Sequence, residues 1–173
     1  DAIAKAGIPV ELIGRTTELF PVRETFSLNP TTKNVEHMAA VSEWLLRSNP
    51  AERAFCFANF EDFDMLYGHR NDPIGFGRAL ETLDAWIGSD LLPSLSASDI
   101  VILTADHGNA DYAINEDGSP NTAHSLNPVP LFVIDPTWKG TLKPGKLGDI
   151  APTLLHWMGL PIPLEMTGKV LID

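Results

Sequence analysis

Five side chains carry most of the chemistry open to this sequence: Asp64 and His69 in "DMLYGH", Asp106 and His107 in "TADHG", and His124 in "NTAHSLNP". Two carboxylates and three imidazoles, with no thiolate cluster beside them, form a donor set suited to zinc or manganese. Five donors are more than one tetrahedral ion with an open position requires. They suit two ions about 4 Å apart, with places left for water or phosphate oxygens. Singly, each has a plainer reading. An Asp-His-Gly is often a capped turn, and a histidine in a polar loop is often only solvated. The five stand out together because all follow predicted strands. His37 and His156 fall inside predicted helices and are expected to pack or to face solvent.

Loops of this kind need elements to hold them. Residues 7–14, "GIPVELIG", read as a short strand bounded by glycines. Over 31–50 the apolar positions Val35, Met38, Ala39, Val41, Leu45 and Leu46 share one helical face, and "SNP" stops the helix. Residues 53–60, "RAFCFANF", read as a buried strand, with Cys56 packed in it. A helix follows over 72–95, with Pro73 near its start and Ile74, Leu80, Leu83 and Trp86 along it. Further strands are predicted over 99–105 and 129–135, separated by a turn-rich loop over 114–128. The last helix, 147–160, has Pro152 near its first turn and Gly159 at its close. Strands and helices alternate, which predicts a single α/β domain around a largely parallel sheet. Sites in such sheets form beyond the carboxyl ends of strands, where both Asp–His pairs fall, expected at neighbouring strand ends.

The bulk numbers narrow the class. The chain has 173 residues, 44% apolar and 20% charged, enough for one domain with a core. A net charge of -11 argues against general nucleic-acid binding. The longest apolar runs, "DIVILTA" and "PLFVI", are too short to span a bilayer, so no membrane partner is expected. The single cysteine excludes an internal disulfide and fits a reducing, cytoplasmic setting. The sequence opens on Asp1 and shows no signal peptide; a processed, truncated or excerpted chain is expected.

"TADHGNAD", followed by "TAHSLNPVPLFV" and "LGDIAPTLLHWMGLPIPLEMTGKVLI", closely resembles the carboxy-terminal end of cofactor-independent (2,3-bisphosphoglycerate-independent) phosphoglycerate mutase. "NFEDFDMLYGHR" and "AGIPVELIG" look more like phosphopentomutase. Both families belong to the alkaline phosphatase superfamily of metalloenzymes. The resemblance implies an alkaline-phosphatase-like three-layer sandwich, here lacking its N-terminal part. It implies Asp106 and His107 on one metal, and Asp64, His69 and His124 on a second. The two divalent ions are typically manganese, with zinc or magnesium as alternatives. A Ser or Thr nucleophile would take the phosphoryl group of a small phosphorylated metabolite and return it at another oxygen.

The spacing from Asp64 to His69 matches the phosphopentomutase form, and the "TAH" context of His124 matches the phosphoglycerate mutase. The metal-proximal spacing tips the expectation to a phosphopentomutase-like phosphomutase. A phosphoglycerate mutase, a phosphatase or phosphodiesterase of the same superfamily, and a non-catalytic metal-binding domain are the alternatives. The families' nucleophile, a further metal Asp and the cap domain have no equivalent here. Thr122 and Ser125 lie near His124 but not at a strand-to-helix turn, so the nucleophile is expected outside this chain. Arg70, next to His69, is the candidate for phosphate contact. The expectation is a chain that turns over no substrate without the N-terminal half of the same protein, and that leaves a sheet edge uncovered.

Overall fold

The computed structural model describes residues 1–19, 23–24, 26–49 and 51–173. In chain order these form α1 (Ala2–Lys5), β1 (Val10–Ile13), α2 (Thr16–Leu19), β2 (Phe26–Asn29), α3 (Asn34–Arg47) and β3 (Phe55–Ala58). A π-helical turn, Phe63–Gly68, leads to α4 (Pro73–Trp86), which runs through a second such turn into α5 (Leu92–Ser94). Then come β4 (Val101–Thr104), β5 (Leu131–Ile134) and α6 (Ile150–Trp157).

All four residues of β1 are buried, as suits a strand with neighbours on both edges and helices on both faces. It lies between β2 and β3, parallel to each, with Val10 opposite Phe26 on one side and Phe55 on the other. Its side chains alternate in direction. Val10 and Leu12 pack with Ile3, Ile8 and Leu155, which brings α1 and α6 onto one face. Glu11 meets Arg47 of α3 at 2.8 Å, its carboxylate almost wholly buried. Two helical layers thus enclose a parallel sheet in an α/β arrangement. Cys56, opposite Glu11 in β3, is half-buried, and burial pushes its thiol up to about 12.

The other two strands depart from the expected parallel order. β4 and β5 form a separate antiparallel pair, with Val101 opposite Ile134 and Thr104 opposite Leu131. Consecutive parallel strands need a crossover, and residues 105–130 hold no helix to make one, so the chain returns beside β4 in the opposite sense. The two Asp–His pairs therefore follow strands of different sheets, not neighbours in one.

Helix ends moved inward. α3 stops at Arg47 with Ser48 extended, and Pro50 of the predicted stop lies outside the described residues. The helix predicted to reach residue 95 loses regular α geometry after Trp86. No helix among the described residues is long and apolar enough to cross a membrane. His37 is fully buried on α3, its Nε2 3.0 Å from Thr31 O and its ring edge-on to Phe60, whereas His156 is exposed on α6. Gly14, at φ 72°, ends β1 where a Cβ would lie 2.7 Å from His37 Nε2 and 2.9 Å from Asn59 O. Only glycine meets both demands.

Candidate metal centre

Asp64 sits in the π-helical turn that follows β3, and His69 stands directly after it. The His69 amide donates to Asp64 O at 2.9 Å, and the Asp72 amide to Tyr67 O, so the backbone turns back on itself. The turn brings His69 Nε2 within 3.1 Å of Asp64 Oδ2. The other carboxylate oxygen, Oδ1, lies 3.1 Å from His124 Nε2, sixty residues along the chain. Asp64 is therefore gripped by two imidazoles.

His107 joins through His124. Their rings stack with centroids 3.5 Å apart and an interplanar angle of 11°. His107 Nδ1 lies 3.2 Å from Gly108 O. A carbonyl can only accept, so Nδ1 carries the proton and donates; in the neutral ring, Nε2 keeps its lone pair. Asp106 Oδ1 stands 3.6 Å from that Nε2, though the Asp106 side chain is mostly in solvent. The five residues form one chain of contacts, Asp106–His107–His124–Asp64–His69. Within it, Asp64, His107 and His124 each offer a ligand atom, all within 4.8 Å of one another.

The long loop between β4 and β5 is pinned so that this can happen. Gly108 and Ser125 form an antiparallel bridge, with the Ser125 amide donating to Gly108 O at 2.9 Å. The Ser125 hydroxyl donates to Asp111. That bond, followed by the Asn127 side chain, holds the Asp111 carboxyl below its ordinary value. A Cβ on Gly108 would lie 2.2 Å from Ser125 Oγ and 2.7 Å from Asp111 Oδ2, so a larger residue there would have to push both side chains aside. His107 and His124 immediately precede the two bridged residues. Sequence reasoning missed this strap, because a glycine and a serine seventeen residues apart carry no local signal of pairing. Ser125, weighed as a nucleophile, has its hydroxyl committed to Asp111; Thr122 is exposed in the same loop. Arg70 is exposed beside His69.

The donor chemistry fits a divalent ion. Oxygen and nitrogen donors converge, one imidazole keeps a free lone pair, and its other nitrogen is anchored to a carbonyl, as in many metal sites.

The sandwich of helices about a parallel sheet and this cluster of carboxylates and imidazoles define a metalloenzyme type of domain. Residues 2–162 match the family model of the Metalloenzyme superfamily, and the chain belongs to that superfamily. The 2,3-bisphosphoglycerate-independent phosphoglycerate mutase of Parabacteroides distasonis is 46% identical over 119 residues, covering 68% of this chain and 23% of the relative. That of Bacteroides fragilis is 37% identical over 153 residues, 88% of this chain and 29% of the relative. The phosphopentomutase of Herpetosiphon aurantiacus is 35% identical over 170 residues, 96% of this chain and 41% of the relative. The chain thus spans about a quarter to two-fifths of the length of these relatives. Their names are those of the two enzymes that the motifs resemble.

Proposed function

We propose that this chain is the metal-holding part of a metal-dependent phosphomutase, a phospho-enzyme isomerase acting on a small phosphorylated metabolite. The observation that carries the reading is the convergence of His69, His124 and, through the ring stack, His107 on Asp64. Asp64, His69 and His124 would hold one divalent ion. Asp106 and His107 would serve a second, with His107 also close enough to share the first group. Manganese is the first choice, with zinc or magnesium compatible with the same donors. When bound, such ions neutralise phosphoryl charge and lower the pKa of an attacking hydroxyl.

The chain's own residues do the holding and orienting. Asp64 sits between two imidazoles, the Gly108–Ser125 strap fixes the two histidines of the long loop, and Arg70 stands beside His69 to meet a phosphate. The nucleophile and the rest of the substrate pocket belong to an N-terminal part of the same protein, a reading supported by the greater length of the relatives. The acidic net charge speaks against a nucleic-acid partner, and the lone cysteine favours the cytoplasm.

A pentose phosphate is the preferred substrate, since the phosphopentomutase relative aligns over nearly the whole chain and the Asp64–His69 spacing resembles the form of that family. A phosphoglycerate is the second reading, favoured by the higher identity of the mutase from Parabacteroides distasonis over the region it covers. The test is phosphoryl-transfer assays with both substrates in Mn²⁺, on the 173-residue chain and on the protein carrying its N-terminal part. Turnover by the longer protein, lost in Asp64→Ala and absent from the shorter chain, is expected. Turnover by the 173-residue chain alone, or of neither substrate by the longer protein, contradicts the proposal.

A further inference from the structure

Asp64 has a third partner. The Asn109 side chain donates from Nδ2 to Asp64 Oδ1 at 2.7 Å, the shortest contact that the carboxylate makes among the described residues. The direction of the amide is set from its other end, where Asn109 Oδ1 accepts from the Ala110 amide at 2.7 Å. With the oxygen so occupied, the NH₂ group faces the carboxylate. Ala110 itself lies at φ 58°, a left-handed conformation unusual for a residue with a side chain, immediately beside the site.

Gly68 provides the seat. A Cβ built there would lie 2.2 Å from Asn109 Nδ2 and 2.6 Å from its Cγ and Oδ1. The amide therefore lies flat against the backbone of the turn that carries Asp64. Gly68 is not among the glycines with positive φ, so what it supplies is space and not backbone freedom.

We propose that Asn109 is a positioning residue for the metal centre, holding the Asp64 carboxylate in its ligating orientation; this rests on the metal-binding reading above. In the structure two imidazoles also hold that carboxylate. Once His69 and His124 turn their Nε2 atoms to an ion, they can no longer donate to Asp64. Asn109 is then the group that keeps Oδ1 tied, and its bond from the Ala110 amide and its seat over Gly68 fix it before any ion arrives. A plain turn asparagine would need only the Ala110 bond; the second bond, forty-five residues away, is what assigns the role.

The test is Mn²⁺ binding to the full 173-residue chain, followed by calorimetry and by the electron paramagnetic resonance of the bound ion. The wild type is compared with Asn109→Ala, Gly68→Ala and the double variant. Loss of the tether is expected to weaken Mn²⁺ binding by about 10–100-fold. Gly68→Ala should do the same by evicting the amide. The double variant should bind no more weakly than Asn109→Ala alone, because the added methyl then has no amide to displace. A purely structural asparagine would lower thermal stability and leave Mn²⁺ affinity unchanged; that result, or additive losses in the double variant, overturns the proposal. If the folded wild type itself binds no Mn²⁺, the metal reading fails and this inference falls with it. Binding by the wild type that persists undiminished in Asn109→Ala overturns the positioning role alone.

Discussion

The partner that each imidazole of the site faces decides what it can do. His107 has its Nδ1 proton on Gly108 O, which leaves Nε2 for an ion. His69 and His124 spend their Nε2 protons on Asp64. Removing Asp64 takes away both their shared acceptor and the central ligand. Asp64→Ala is expected to reduce Mn²⁺ affinity at least ~100-fold, read by calorimetry, while the exposed Asp106→Ala costs less. Gly108 is the matching steric case. Gly108→Ala forces its methyl onto the Ser125 hydroxyl and is expected to lower unfolding free energy by about 1–3 kcal/mol in urea melts. It should also weaken metal binding, since His107 and His124 flank the bridge. The five candidate residues were legible in the sequence because Asp and His in loops after strands are conspicuous by type. Asn109 was not, although it stands in the quoted "DHGN", because an amide's partner is a matter of three-dimensional approach.

Two electrostatic commitments away from the site belong to the scale of the elements. Glu11 is buried in the middle of β1 and is paired with Arg47 at the end of α3. Arg47→Ala would strand that carboxylate between layers. Breaking a fully buried pair costs about 3–5 kcal/mol; with Arg47 itself half-exposed, the expected loss is smaller, ~2 kcal/mol in denaturant unfolding. Asp149 ties the start of α6 to the C-terminal tail. It accepts from the Lys146 side chain and amide and from the Lys169 amide, and these hold its carboxyl down at about 2. A carboxyl depressed in the folded state stabilises above its ordinary value and loses that contribution as pH falls through the depressed one. Stability should therefore decline as pH drops from about 4 to about 2, and Asp149→Asn should flatten that segment of the melting-temperature profile.

The same scale shows where sequence reasoning reached its limit. β1, α3, β3, α4 and α6 were legible because apolar periodicity marks a strand or helix packed on a core. β2, "FSLN", carries no such pattern; it is a partly exposed strand recognisable by its pairing with β1. The antiparallel return of β5 was equally hidden, since strand direction depends on the connection and not on the strand's own residues.

At the scale of the whole molecule, two small sheets and the loops after them bring a cluster of donors together. Strands from different sheets deliver Asp64 and the His107–His124 stack, so the centre depends on how the two halves of the fold meet. A bound ion would bridge them, and ligand binding to the native state alone raises its stability. Saturating Mn²⁺ should thus raise the melting temperature of the wild type and leave that of Asp64→Ala in place. The net charge of -11 is also better balanced with divalent cations bound.

The most direct test of the central claim is a calorimetric Mn²⁺ titration of the purified chain beside an Asp64→Ala, His124→Ala double variant, with folding checked by circular dichroism. The account predicts at least one ion bound per wild-type chain and none by a variant that remains folded. A folded wild type that binds no ion, or equal binding by both proteins, would contradict it.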